Sequence, residues 1–328
     1  MDAELIMTVK QMQDHNAWLD MRKQGIGGSD AGVIMGYNPW MSPFKLWMEK
    51  TGQVQTEDIS GKSSVKAGVY LEPVVAQMFC DETGYKVERR GMMRNKTYKW
   101  MQANIDRLIP AKKNNLPEDI GLEIKTTNAF SAHDWDDDEV PDSYFLQCQH
   151  YMMVTGLKAW WIAVLIGGQD FRYKLIDRNE AQIKELFDAE KVFWEVNVLR
   201  NVAPDIDGSK ATKAALDEKY SGGDAEAIDL PNEAGDILTM LDYYKGQEKD
   251  AKAKATACEN KLKEMMQDHE LAWYDGRKIT WKSYKGKESI DKDALKKDHP
   301  DIAKKYVKTS KPSRKFIVGK KPDEQTNP

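Results

Sequence analysis

An α/β fold is what the sequence predicts: a small mixed central sheet flanked by helices, followed by a C-terminal helical module with a small β element. Three observations predict it. Through residue 204 the chain is dense in Trp, Tyr and Gly, and helical and strand patterns alternate, as expected of layered α/β packing. Between 205 and 231 the composition turns to Asp, Gly, Ala and Lys, which reads as a linker with one short helical piece. From 232 to 328 a long helical stripe leads into a hairpin pattern and a basic tail. The expected organisation is a domain over 1–204, a linker over 205–231 and a module over 232–328.

The elements follow in order. GGSDAGVIMG (27–36) reads as a Ser or Asp cap followed by a short helix. In VKAGVYLEPVVAQMFCDET (65–83), Leu71, Val74, Val75, Met78 and Phe79 recur at helical spacing. Residues 86–94, 100–108, 121–126 and 159–166 read as strands, several with Val, Ile, Tyr or Trp. PAKKNNLPEDI (110–120) is a hairpin loop by composition. Residues 144–154 read as a helix with Phe145, Cys148, Tyr151 and Met152 on one face, and 180–199 as an amphipathic helix through Ile183, Leu186, Phe187, Phe193 and Trp194. In 232–270 a narrow stripe through Ile237, Leu241, Tyr244, Ala251, Ala255, Cys258, Leu262 and Met265 suits one long helix, or a pair, packed on another helix. WYDGRKITWKSYKG (273–286) alternates around a DG turn and reads as a hairpin. A basic helix at 291–306 and a strand at 315–318 complete the module.

Composition closes off several classes. An apolar fraction of 41% with ten Trp supplies a packed core and excludes a disordered chain. No apolar run approaches the roughly 20 residues needed to span a bilayer, and the first eighteen residues carry no signal-peptide core, so a cytosolic protein is expected. Cys80, Cys148 and Cys258 lie far apart and form no C-x-x-C pair, so they read as small buried hydrophobes. The five His residues lack metal-site spacing. The net charge of −4 conceals an asymmetry: residues 277–321 hold sixteen Lys and Arg against five Asp and Glu, +11, leaving −15 elsewhere. A basic module beside an acidic body is the footprint of contact with a polyanion. A solubilising Lys-rich surface is the plain alternative.

The stretch GLEIKTTNAF (121–130) sets Glu123 and Lys125 two apart on a strand, hence on one face. QANIDRLI brings Asp106 onto or just after a preceding strand, and a hairpin sets the two strands side by side. Glu72 sits in the first half of a helix, and Gln147 and Tyr151 share a helical face at i, i+4. Two or three carboxylates, an amine and an amide around one point fit metal-assisted phosphodiester hydrolysis. Hard oxygen ligands hold Mg²⁺ or Mn²⁺, one ion or two, and leave positions for water and phosphate. Asp106, Glu123 and the Ile124 backbone carbonyl are the expected ligands, with Glu72 assisting a second metal or holding a metal-bound water. Lys125 orients or deprotonates the attacking water, or stabilises developing charge. Each has a plain structural alternative: a neutralising Glu123–Lys125 pair, a hairpin-end Asp106–Arg107 pair, an exposed Glu72 before Pro73, a core amide at Gln147. The acid run DWDDDE (134–139) reads as a solvated loop, and Trp40 and Trp135 as core or rim packing rather than base-stacking platforms.

With these motifs the chain resembles the YqaJ-type viral recombinases, which are similar to lambda exonuclease within the PD-(D/E)XK nuclease superfamily. WLDMRKQGIGGSDAGVIMGYNPW, LWMEKTG, GVYLEPVVAQMF, NIDRLI, GLEIKTT, PDSYFLQCQHYMMVTG and WWIAVLIGG carry the resemblance in order over 18–199. One departure is that Ile105 precedes Asp106 where the superfamily has proline. The resemblance implies a PD-(D/E)XK core with Asp106, Glu123 and Lys125 at its centre, Glu72 as the helix acid, and Gln147 with Tyr151 as the Q-x-x-x-Y element. It also implies Arg22 and Ser29 as holders of a terminal 5′-phosphate. Ser29, after Gly27 and Gly28 at a helix start, reads equally as a cap or as an anion contact.

The function so implied is a Mg²⁺-dependent exonuclease that resects double-stranded DNA from an end, 5′→3′. It implies a homo-oligomeric ring, a RecT- or beta-like single-strand annealing protein as partner, and a phage or prophage origin in the bacterial cytosol. A structure- or sequence-specific endonuclease on the same fold and a non-hydrolytic DNA-end-binding scaffold are the alternatives.

Overall fold

The computed structural model describes every residue except 57, 224–225, 287–288, 309–313 and 320–328. It divides into two units, Met1–Ser221 and Gly222–Pro328. The first holds two sheets. β1 (Ala3–Met7), β2 (Met92–Asn95) and β3 (Gln102–Asn104) pair antiparallel in that order. β4 (Arg107–Ile109), β5 (Ile120–Thr127), β6 (Ala159–Ile166) and β7 (Asp170–Asp177) form the second sheet, mixed because β5 and β6 run parallel. Its helices are α1 (His15–Lys23), α2 (Gly28–Ile34), α3 (Pro43–Lys50), α4 (Ser63–Thr83), α5 (Ala111–Asn114), α6 (Asp142–Thr155), α7 (Glu180–Val192) and α8 (Lys210–Lys219). The architecture is the helix-flanked mixed sheet expected from the sequence.

Local chemistry sets the boundaries. Asp14 caps α1 by accepting from the Ala17 N–H, and Ser42 caps α3 through Lys45, with Pro43 in the first turn. α4 and α6 each end on a left-handed glycine, Gly84 (φ 73°) and Gly156 (φ 76°). A parallel pair needs a crossover, and α6 supplies it between β5 and β6. Leu122 and Ile124 of β5 and Ala163 and Leu165 of β6 pack on Val75, Ala76 and Phe79 of α4. Trp160, Ile162 and Val164 face the other way, into the core with Cys148, Tyr151 and Met152 of α6.

The structure departs from the sequence reading in particular places. The strand expected over 100–108 is two strands in different sheets, broken at Ile105–Asp106. Only Met92–Asn95 of the 86–94 region is a strand, with Glu88 bridged to Leu108. β1 and β7 were not expected; β7 is an edge strand whose polar residues stay exposed. Arg172 of β7 binds Asp136 of the acid run at 2.9 Å, while Trp135 is buried and stacked on Tyr144. The helix at 180–199 changes to a π-helical turn over Phe193–Val198. α8, within the stretch read as linker, packs on the first unit: Ala215 is fully buried and Thr212 donates to Ser42 Oγ at 2.6 Å.

In the second unit, α9 (Ala234–Met266) is one continuous helix. β8 (Leu271–Tyr274) and β9 (Arg277–Thr280) form the hairpin around Asp275–Gly276, both at positive φ. The helix expected at 291–306 is instead α10 (Lys292–Asp298) and α11 (Pro300–Lys305), because Pro300 cannot donate into a continuing helix and starts a new one. The expected strand at 315–318 is not formed. Of the cysteines, Cys148 is buried as expected, Cys80 is half-buried, and Cys258 is exposed on α9. Among the described residues, no helix is long and apolar enough to cross a membrane.

Candidate active site

The break between β3 and β4 creates the site. Asp106 occupies the bend where the chain leaves one sheet for the other, and β4 begins only at Arg107, opposite Leu122. Beyond that point, among the described residues, no strand pairs with β5 on its β4 side. The Ile124 N–H, freed of a ladder partner, donates to Asp106 Oδ2 at 2.8 Å. A strand residue's N–H and C=O leave on the same edge, so the Ile124 carbonyl faces the Asp106 side as well.

Glu123 and Lys125 lie on the α6 face of β5, in register with Ile162 and Val164. Gly121 shares that face, and a Cβ there would sit 2.3 Å from the Trp160 indole, so glycine is what lets the ring lie across the strand. Lys125 Nζ is 2.6 Å from Glu123 Oε1 and donates to Gln147 Oε1 at 2.9 Å. Gln147 Nε2 donates to Glu123 Oε1 at 2.7 Å and to the Tyr151 hydroxyl at 2.9 Å. One amide thus clamps acid, amine and phenol. Tyr144, one turn before Gln147, places its ring 4.6 Å from Lys125 Nζ; its helical spacing was a signal that sequence reading passed over. His150 anchors α6 from behind, bonded to buried Glu190 at 2.7 Å and to the Gln102 carbonyl at 2.8 Å.

The electrostatics are unbalanced toward negative charge. Burial, then the neighbouring Glu123, pushes the Asp106 carboxyl well above the ordinary Asp range, against the pull of Lys125 and the Ile124 N–H. Burial disfavours the Lys125 ammonium, but Glu123 and Asp106 outweigh it and raise its pKa, so the amine is held charged. Glu123 is 3% exposed, and its Oε2 is buried with no hydrogen-bond partner. A buried carboxylate oxygen left without a donor is costly unless a cation completes it. The oxygens of Asp106, Glu123 and the Ile124 carbonyl are of the hard type that could serve a divalent cation such as Mg²⁺ or Mn²⁺.

Glu72 does not join them. Its carboxylate accepts from buried Arg107, with Arg89 at 3.4 Å, and among the described residues no three His, Cys, Asp or Glu side chains gather to hold a metal. Glu72 remains near enough that its charge adds to the upward push on Asp106.

Arg22 and Ser29 do come to the same place. A cleft of about 180 Å³ is lined by both and by Asp106, Glu123, Gln147 and Tyr151. Arg22 donates to Ser29 Oγ at 2.8 Å and stacks 4.9 Å over Trp18. The approach of α2 to α6 depends on Gly28, where a Cβ would lie 2.5 Å from the Tyr151 ring. A buried ion pair holds this wall, joining Asp30, read from sequence only as a candidate cap, to Lys50, which the sequence did not single out. Lys50 pairs with Asp30 at 2.8 Å and donates to the Arg22 and Gly25 carbonyls, while Asp30 accepts from the Gly27 N–H. Burial works against the Asp30 carboxylate, but Lys50 and Arg22 hold its pKa below the usual value.

An aspartate at a sheet break, a Glu-x-Lys strand beside it and a Q-x-x-x-Y helix over it define a PD-(D/E)XK-type core. Residues 17–158 match the YqaJ-like viral recombinase domain. The chain is 36% identical over 310 residues to the YqaJ protein of Bacillus subtilis (strain 168), covering 93% of this chain and 94% of that one. The chain belongs to the YqaJ-like viral recombinase family. Among solved structures it is similar to the alkaline exonuclease LHK-Exo of Laribacter hongkongensis (18% identity, TM-score 0.45, 54% of this chain and 90% of that one). It is also similar to a phage-related exonuclease from Haemophilus somnus 129PT (13% identity, TM-score 0.40, 54% and 96%).

Proposed function

We propose that the protein is a Mg²⁺-dependent exonuclease that degrades one strand of double-stranded DNA 5′→3′ from an end, supplying single strands for annealing-based recombination. One observation carries the proposal: Asp106 and Glu123 line the same cleft as Arg22 and Ser29, with the Ile124 N–H bonded to Asp106 and Lys125 paired with Glu123 behind them. Membership of a viral recombinase family and the exonuclease names of similar structures support the reading.

Asp106, Glu123 and the Ile124 carbonyl would hold the ion, with Mn²⁺ an alternative. When bound, it supplies charge neutralisation at the scissile phosphate and acidifies a ligated water. The chain's own groups do the rest. Lys125 donates toward the reacting phosphate region and stabilises charge developing there, oriented by Gln147. Arg22 and Ser29 take the terminal 5′-phosphate, which sets the register of the cut by one nucleotide. Double-stranded DNA ends are the substrate, a homo-oligomeric ring keeps the enzyme on them, and a RecT- or beta-like annealing protein receives the product in the host cytosol. The basic C-terminal residues grip backbone phosphates. Deleting 277–328 is therefore expected to weaken DNA binding and flatten its salt dependence, measured as the slope of log affinity against log salt.

The test uses linear duplexes labelled at the 5′ or 3′ end, with Mg²⁺ or EDTA, beside Lys125→Ala. Metal-dependent release of mononucleotides from the 5′ end, absent in the variant, is the expected result. Cutting of closed circular DNA would move the assignment to an endonuclease. Intact DNA with tight end binding would leave a scaffold.

A further inference from the structure

A second cleft, of about 190 Å³, opens beside the first and is lined by Gln13, Glu72, Arg89, Arg90, Asn104 and Asp106, among others. The two clefts meet at Asn104 and Asp106, which line both. Asp106 thus has one arginine-bearing cleft ending at Arg22 and another ending at Arg89 and Arg90.

The Arg89–Arg90 segment is pinned at both ends. Glu88 exchanges two backbone hydrogen bonds of 2.8 Å with Leu108 of β4. Gly91 lies so close to β1 that a Cβ would come within 1.9 Å of the Met7 carbonyl oxygen. The two guanidinium groups therefore project from a backbone fixed against both sheets.

Neither is well neutralised. Arg90 Nε is buried without a hydrogen-bond partner, and the carboxylate near it, Glu88, is 4.0 Å from Nη2. Arg89 is 63% exposed at its side chain and reaches Glu72 only at 3.4 Å, an acid that buried Arg107 already satisfies. A buried donor without an acceptor asks for one, and a guanidinium fork matches the oxygens of a phosphate.

We propose that Arg89 and Arg90 form a second phosphate seat, which takes the DNA backbone phosphate one linkage 3′ of the one cleaved. The inference rests on the exonuclease reading for its direction: with the terminal 5′-phosphate at Arg22 and Ser29 and the scissile phosphate at Asp106 and Glu123, the next phosphate leaves by the other cleft. The seat holds the strand that remains, so it would retain the substrate between successive cuts.

The test uses the full-length protein and duplexes in which a single neutral methylphosphonate replaces the linkage immediately 3′ of the first scissile phosphate. First-nucleotide release by wild type is expected to slow roughly 10–100-fold, the change that one charge-assisted hydrogen bond carries. The same replacement ten linkages away should have little effect. In the Arg89→Ala/Arg90→Ala variant the ratio between normal and methylphosphonate duplexes should fall to near one. The exposed single variant Arg89→Ala, which risks little in folding, should lower the ratio part of the way. A wild type indifferent to the replacement, or variants keeping the full wild-type ratio, would overturn the seat. Binding of the same duplexes in EDTA gives the ratio independently of cleavage. Absence of hydrolysis with the binding ratio intact would therefore count against the exonuclease and not against the seat.

Discussion

On the α4 face of β5, Leu122 and Ile124 meet Val75, Phe79 and Leu165 in an apolar layer. On the α6 face of the same strand, Glu123 and Lys125 are recessed among Gln147, Tyr151 and Asp106, with one carboxylate oxygen unpartnered. Adjacent residues of one strand thus serve opposite ends. The first face gains stability by removing apolar area from water. The second gathers like charges at a cost in stability, in a place where a cation and a phosphate would relieve it. A strand buried on both sides can do both because its side chains alternate.

The comparison breaks most readily on the α4 face. Phe79 is fully buried and packs edge-on against Trp161 and Tyr173. Phe79→Ala is expected to cost about 3–5 kcal/mol of stability, read from the denaturant midpoint, while nuclease activity per folded molecule stays within a few-fold of wild type. An activity loss matching that of a site variant would mean that the two faces are not separable.

On the α6 face the expected balance is reversed. Glu123→Gln keeps the shape and a hydrogen bond to Lys125 but removes the charge that would face the cation. Hydrolysis of end-labelled duplex should fall by about 10²–10³, the scale seen when one charge-stabilising group is removed from a reacting centre. The unfolding midpoint should move far less than for Phe79→Ala. A retained rate would remove Glu123 from the chemistry and leave it as a neutralising partner for Lys125.

The same contrast explains what the sequence made legible. The Glu-Ile-Lys alternation and the i, i+4 pair Gln147–Tyr151 are periodic signals, and both elements formed where periodicity put them. The apolar face of α4 was legible for the same reason through Leu71, Val75, Met78 and Phe79, while Val74, read on the same stripe, is exposed. What escaped was non-periodic. The chain changes sheets at Asp106 because of where β4 pairs, and no local residue signals it; Ile105 and Leu108 read as one continuous strand. β7 escaped because an edge strand keeps polar residues outward and dilutes its own pattern. Glu72 sits on the expected helix, yet the arginine that claims it, Arg107, lies 35 residues away. The Lys50–Asp30 pairing escaped because a buried ion pair between distant residues has no spacing at all.

The finest distinction between the faces is whether the site lowers stability in the absence of metal. Asp106 is the residue to ask, since burial and Glu123 raise its folded pKa well above the ordinary carboxyl value. A group with a raised folded pKa favours the fold in its protonated form. Its stabilising contribution is complete below the unfolded pKa of about 3.9 and is lost as pH rises through the folded pKa. Above the ordinary Asp range, losing that proton costs the folded, metal-free protein more than it costs the unfolded chain, so the buried acid is a burden there. Asp106→Asn removes that burden and should raise the melting temperature in EDTA by a few degrees, the shift that about 1 kcal/mol produces in a domain of this size. The gain should shrink as pH falls and vanish below the unfolded pKa of about 3.9, where Asp106 is protonated in both states and resembles the amide. Saturating Mg²⁺ should reverse the order, because only the wild-type site gains from the cation. An Asp106→Asn protein less stable than wild type in EDTA at neutral pH would mean that the hydrogen bond to Ile124 outweighs the crowding of charge, and that Asp106 holds the sheet break together as much as it serves the site.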